Sequence, residues 1–142
     1  MVQIRFQGGG AEASVNRIVP LLRERGFEVD QFACESARLG ELELSGNTLN
    51  YRNLPGVLGV LAAGISLSKR LLRDRFNVLH LHCERSELVG LIGLKLSGAK
   101  KIHLVVTEHT RQPWLQHPFL GKIVRHFLRR AGAIFVDCYS GG

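Results

Sequence analysis

The residues best suited to bind an anion lie near the start of the chain. Gly8, Gly9 and Gly10 follow an apolar segment at 2–6 and precede an amphipathic segment from about 11 to 25. Glycine has no side chain and tolerates positive φ, so a phosphate can closely approach the main chain of such a loop. A helix starting there also offers unsatisfied N–H groups and the positive end of its dipole. The spacing therefore predicts a ligand-binding loop, and the alternative is a tight turn without a ligand.

The best candidate for catalysis is His109, which follows the buried strand pattern at 102–107. A loop side chain on such a rigid base can reach into a cleft, and an imidazole can hydrogen-bond a sugar hydroxyl or a phosphate oxygen. Glu108 and Thr110 flank it, and His82 ends the preceding strand pattern, so these three are candidate ligand-binding residues. The alternative is an exposed loop histidine with no ligand.

A metal site is the other chemistry that these histidines suggest. His80 and His82 share a strand face, and Cys83 and His109 are further candidate ligands. Nothing in their spacing fixes a coordination geometry, which a metal site requires. We therefore expect His80 to be a core histidine, and we expect no metal and no cofactor.

The segments that must position these residues alternate along the chain between strand-like and helix-like hydrophobic periodicity. Strand patterns occupy 2–6, 27–33, 76–82, 102–107 and 133–136, and helix patterns occupy 11–25, 55–74, 84–97 and 115–130. This alternation predicts an α/β fold, a single Rossmann-like three-layer domain over residues 1–142 with a mostly parallel sheet. Ligands of such sheets bind beyond the carboxyl ends of the strands, where the glycines and histidines fall.

Two local features leave alternatives open. Pro20 lies inside the first helix pattern, so that helix either kinks or consists of two shorter pieces. Segments 41–44 and 48–51 both alternate, and they form either a small hairpin or a loop followed by the third strand.

The amino-acid composition of the chain indicates which binding partners and which cellular compartment to expect. The net charge of +7 and pI near 9.9 favour an anionic partner: a nucleotide, an acidic lipid surface or nucleic acid. Aromatic residues are not interleaved on a basic strand, which argues against nucleic acid. Three widely spaced cysteines predict no disulfide framework, and no segment resembles a signal peptide or membrane span. We expect a cytoplasmic protein, located either in the cytosol or at the inner face of the membrane.

The helix pattern at 115–130 is strongly amphipathic. Its basic side includes Lys122, Arg125 and Arg129, and its apolar side includes Phe119 and Ile123. The basic side predicts adsorption to anionic lipid, by charge rather than by insertion because the apolar side is expected to cover the sheet. The alternative is a solvated basic face.

Several of these pieces together resemble the N-terminal domain of GT-B glycosyltransferases of the glycogen-synthase-like, retaining superfamily. The resembling segments, which span nearly the whole chain, are Gly9-Gly10-Ala11-Glu12, 22–29, 77–82, 105–109 and 131–136 leading to Ser140. The resemblance implies an acceptor-binding half whose glycine loop reaches toward the diphosphate of a nucleotide-sugar donor. It also implies that Glu12 and His109 are the catalytic residues, with His109 beside the transferred sugar.

In that family the donor is held mainly by a second Rossmann-like domain, which these 142 residues do not include. The resemblance therefore implies a hexosyltransferase half that is inactive alone. Its expected partners are a nucleotide sugar, a glycan or lipid-linked acceptor and a C-terminal donor-binding domain.

Two other classes remain as alternatives. Residues 8–13 fit G-x-G-x-x-A, and Asp30 lies twenty residues beyond Gly10, as in an NAD(P)-type dinucleotide-binding domain. That interpretation does not account for the two-histidine strand or for the loop at 107–110. The second alternative is a non-catalytic binding module that keeps the fold.

Overall fold

The computed structural model describes residues 2–5, 10–35, 48–50, 54–82, 84–108, 114, 116–130 and 134–137. The strands are β1 (Val2–Arg5), β2 (Asp30–Glu35), β3 (Thr48–Asn50), β4 (Val78–His82), β5 (His103–Glu108) and β6 (Ile134–Asp137). The helices are α1 (Gly10–Glu24), α2 (Gly56–Asp74), α3 (Glu84–Ser97) and α4 (Pro118–Arg130).

These strands form one sheet in the order β3-β2-β1-β4-β5-β6, and every pairing is parallel. The chain moves outward in one direction from β1 and in the other from β4, so the strand order reverses between them. Because parallel crossovers are right-handed, α1 lies on one face of the sheet and α3 and α4 lie on the other. The predicted α/β, Rossmann-like architecture is confirmed, and β1 and β4 flank the crevice where such sheets bind ligands.

The structure resolves both local alternatives as far as its described residues extend. α1 is one helix from Gly10 to Glu24 with Pro20 inside it. Residues 48–50 pair in parallel with β2 and form the third strand, as the second alternative predicted. Segment 41–44, the other half of the possible hairpin, lies outside the described residues.

The apolar side of α4 corrects one expectation. Val124 and Leu128 are buried in the core, whereas Leu120 and Ile123 are exposed and Phe119 is 77% exposed. The buried stripe is therefore only part of the apolar side, and Phe119, Leu120 and Ile123 remain at the surface. In the described part of the chain, no helix is both long enough and apolar enough to cross a membrane.

Glycines set the distance between α2 and α3, which pack together over the main core. A Cβ at Gly64 would lie 2.4 Å from Ile92 Cγ2, and one at Gly93 would lie 2.6 Å from Leu67 Cδ2. Leu67 is fully buried, so the interface has little room to relax.

Gly93→Ala tests this packing because two effects oppose each other. Helix propensity alone favours alanine by about 1 kcal/mol. Overpacking against Leu67 costs about 1–3 kcal/mol, so we expect a net loss of stability in urea denaturation. Leu96→Ala, an exposed change on the same helix, should stay within about 0.5 kcal/mol of the parent. A stabilised Gly93→Ala chain would show that the helices can separate.

Candidate functional site

The crevice between β1 and β4 is bounded by the start of α1. Gly10 is the first residue of that helix, which places its N-terminus at the carboxyl edge of the sheet. Gly8 and Gly9 lie outside the described residues. Glu12 lies in the first turn of α1, although the structure does not describe its side chain. The glycine segment thus leads into the helix terminus that the sequence predicted as an anion-binding feature.

Two histidines stack at the carboxyl end of β4. The ring centroids of His80 and His82 are 4.0 Å apart, and His82 is only 1% exposed. His80 Nε2 and Thr107 Oγ1 are joined by a hydrogen bond of 2.7 Å. Since His82 is the register partner of Thr107, these three side chains lie on one face of the sheet.

Glu108 faces the opposite side of the sheet. It follows Thr107 along β5, so its side chain alternates to the face covered by α3 and α4. There Glu108 Oε1 lies 3.9 Å from Arg125 Nη2 on α4. The structure therefore places the candidates His82 and Glu108 at the same edge but on different faces. His109 and Thr110 lie outside the described residues.

Trp114, which lies between β5 and α4 in the sequence, is bound to the start of α3. Its backbone N–H donates to Glu84 Oε1, and its indole Nε1–H donates to Glu87 Oε2 at 2.9 Å. The side chain packs against Gly121, where a Cβ would lie 2.3 Å from Trp114 Cβ. Trp114 has a φ of 66°, which a bulky residue adopts only when its surroundings impose it. These contacts supply that constraint.

The carboxyl group of Glu87 is buried completely. Burial raises its pKa from the ordinary 4.5 to about 7. The hydrogen bond from Trp114 opposes that rise in pKa, the carboxylates of Glu108 and Glu84 add to it, and Arg125 opposes it. Within the described part of the chain, Glu87 Oε1 has no hydrogen-bond partner. Around neutral pH the acid is thus close to half protonated.

The sequence analysis missed Glu84, Glu87 and Trp114. Glu84 and Glu87 are three residues apart in the first turn of α3, where carboxylates suit the helix dipole and attract no special attention. The available indication was the only tryptophan in the chain, placed next to Pro113 in a predicted loop. A buried indole N–H needs an acceptor, but the sequence did not identify which one.

The three basic residues predicted to meet a membrane differ in their surroundings. Lys122 and Arg129 are exposed on α4. Arg125 is half-buried and directed at Glu108. Among the described residues, no three His, Cys, Asp or Glu side chains gather where they could hold a metal ion.

Comparison with known proteins identifies the class. Residues 8–138 match the family described as Glycosyltransferase Family 4, and the chain belongs to this family. It is therefore a glycosyltransferase-type domain. No curated protein matches the chain.

The dinucleotide-binding alternative gains no support from this match. The position of Asp30 also argues against its predicted role in binding a ribose. Asp30 begins β2 and pairs with Val2, so it lies at the edge of the sheet opposite Gly10. A ribose-binding acid must lie at the carboxyl edge, where β2 ends with Glu35. The candidate chosen from its spacing to Gly10, Asp30, therefore lies at the wrong end of β2 to bind a ribose.

The raised pKa of Glu87 makes the stability of the fold pH-dependent. The folded chain retains this proton between pH 4.5 and about 7 while the unfolded chain loses it, so its contribution to stability falls as pH rises. At pH 8, the free energy of unfolding of Glu87→Gln should be about 3 kcal/mol higher than that of the parent. Near pH 4.5 the two free energies should be equal. Denaturation followed by Trp114 fluorescence measures this.

Glu24→Gln, an exposed change on α1, is the matched control and should leave the pH profile unaltered. Parallel stability profiles for the parent and Glu87→Gln from pH 4.5 to 8 would contradict the assigned titration.

Proposed function

We propose that this domain is the acceptor-binding half of a retaining GT-B glycosyltransferase that transfers a sugar from a nucleotide-sugar donor. The family match over residues 8–138 carries the proposal. The parallel sheet and the start of α1 at its carboxyl edge support it, since a diphosphate would meet backbone N–H groups there.

In this proposal the catalytic residues are His109 and Glu12, with Gly8, Gly9 and Gly10 facing the diphosphate. His109 hydrogen-bonds the transferred sugar, and the stacked His82 supports the floor of the crevice beside it. Glu108 and Thr110 flank His109 at the end of β5. The contacts of Trp114 hold the far end of the loop, so the loop would meet the acceptor on a rigid base.

A second, donor-binding domain completes the proposed site. A GT-B reaction takes place between two domains, whose closure brings donor and acceptor into reacting geometry. Electrostatic stabilisation of the departing nucleotide is a large part of such a rate, and the resemblance assigns it to the other domain. The 142-residue domain alone is therefore expected to bind acceptor weakly and to transfer no sugar.

The test is sugar transfer by the purified chain with and without a separately produced family 4 donor-binding domain. We expect turnover only in the mixture, and at least a hundredfold loss of rate in His109→Ala, the range for a positioned acid–base group. His103→Ala alters an exposed histidine at the opposite end of β5 and should retain the rate. Sustained turnover by the chain alone, lost in His109→Ala, would contradict the incomplete-site proposal.

An anionic membrane surface is the proposed location of this activity. Lys122 and Arg129 supply exposed charge on α4, and the exposed Phe119 and Ile123 lie on the same helix. Their exposure adds shallow insertion to the purely electrostatic adsorption that the sequence predicted. Arg125 contributes less because it faces Glu108.

Sedimentation with acidic and neutral vesicles measures this adsorption. Each basic residue near the surface is worth about 1 kcal/mol, so replacing Lys122 and Arg129 with Gln should weaken binding to acidic vesicles by about thirtyfold at low salt. Lys100→Gln with Lys101→Gln removes two exposed charges from the turn after α3 and is the control. Equal binding by both double variants would exclude α4 as the membrane-facing surface.

A further inference from the structure

The outward face of α2 carries apolar side chains at a spacing of seven residues. Leu58, Ile65 and Leu72 are 61%, 46% and 63% exposed, and they follow one another at that interval. Leu61, three residues after Leu58, is exposed on the same side. A repeat of seven residues is the spacing by which one helix packs lengthwise against another. We call these four side chains the α2 seam.

The α2 seam is separate from the side of α2 that builds the core. Ala63, Leu67 and Leu71 are buried in the main core, so packing within the domain accounts for that side alone. From Leu58 to Leu72 the helix rises about 21 Å, which is the length of a helix of about four turns. Contiguous exposed apolar surface of this kind marks a site of interaction.

A groove of about 530 Å³ opens beside the α2 seam, and Leu61 belongs to both. Glu84 and Arg85 lie in its lining and have opposite charges, so the groove favours an uncharged group. Most of the remaining lining is apolar and includes Val60, Leu88, Ile92 and Leu120. A helix lying on the seam could place a large apolar side chain in this recess, as the anchors of protein interfaces do.

The C-terminal half of the α2 seam is basic. Lys69 lies four residues after Ile65 and three before Leu72, which puts it on the same face of the helix. Lys69 and Arg75 are exposed there, whereas Arg73 is already paired with Asp74. Hydrocarbon offers no counter-charge to a lysine in the middle of the seam, but a partner helix can present a carboxylate to it. The charge therefore favours an acidic helix over insertion into lipid.

A second copy of α2 does not supply that acidic group. The first turn of α2 contains no acidic residue. Parallel self-pairing would set Lys69 of one copy against Lys69 of the other, and antiparallel self-pairing would set each basic end beside an uncharged first turn. The net charge of +7 also opposes self-association.

We propose that the α2 seam docks an amphipathic helix of a partner protein, packed antiparallel to α2 and carrying acidic residues in its first turn. In this orientation the dipoles of the two helices oppose each other, and the acidic turn lies beside Lys69 and Arg75. Acidic residues at its N-terminus also stabilise the partner helix itself. This interaction goes beyond the proposed sugar transfer and does not depend on it.

Three fluorescein-labelled peptides of about 21 residues, long enough to span α2 as helices, test the surface by anisotropy titration. Each repeats leucine at the spacing of the α2 seam. The acid-first peptide has glutamates in its first turn, the acid-last peptide has them in its last turn, and the basic peptide has lysines in its first turn. We expect saturable binding in that order of affinity, with the acid-first peptide at least tenfold tighter than the basic one at low salt.

Variants of the full chain separate the apolar and the charged parts of the surface. Ile65→Gln should weaken binding of the acid-first peptide at least tenfold, whereas Leu21→Gln, an exposed leucine of α1, should retain it. Glutamine suits an exposed helix position as well as isoleucine or leucine does, so neither variant should unfold. Lys69→Glu should reverse the preference between the acid-first and basic peptides. Arg25→Glu makes the same change in net charge beyond α1 and should leave that preference in place.

Four results would overturn the inference. The first is that no peptide binds, or that the acid-last or basic peptide binds as tightly as the acid-first one. The second is equal binding by Ile65→Gln and Leu21→Gln. Self-association of the ligand-free chain that Ile65→Gln abolishes would assign the seam to a second copy. Sedimentation with acidic vesicles that Ile65→Gln abolishes, without binding of any peptide, would assign the seam to lipid.

Discussion

The hydrogen bond from the Trp114 indole to the buried carboxyl of Glu87 is the interaction on which the carboxyl edge of this domain depends. It joins the start of α3 to the segment that connects β5 with α4. An unsatisfied indole N–H or a buried carboxylate would each be costly, so the pair is stable only while both are in place. The left-handed backbone of Trp114 and the absence of a side chain at Gly121 are the local conditions that allow this contact.

The last two residues of β5 face different surroundings on the two sides of the sheet. Thr107 faces the stacked histidines of β4, whereas Glu108 faces Arg125 and the buried Glu87. Farther along the chain, Trp114 is in turn held by Glu84 and Glu87 at the start of α3.

The same helices that bury the core also create the surface beside the site. α2 and α3 approach closely because Gly64 and Gly93 have no side chains. A groove lined by residues of both helices, Trp114 and Leu120 remains beside them. α4 turns Val124 and Leu128 inward and leaves Phe119 and Ile123 outside. Apolar surface at the carboxyl edge thus follows from how the three helices are spaced around one sheet.

Apart from β3, the sequence alone determined the order and type of the elements, because hydrophobic periodicity and glycine positions are local properties of the chain. It predicted α3 at its observed bounds and the start of α1 to within one residue. Which faces the side chains take is a tertiary property, set by strand register and helix packing. For this reason His82 and Glu108 separated, Asp30 fell at the wrong edge, half of the apolar side of α4 stayed exposed, and Glu87 acquired its raised pKa. Only folding brings Glu87 and Trp114 together, since they are twenty-seven residues apart in the chain.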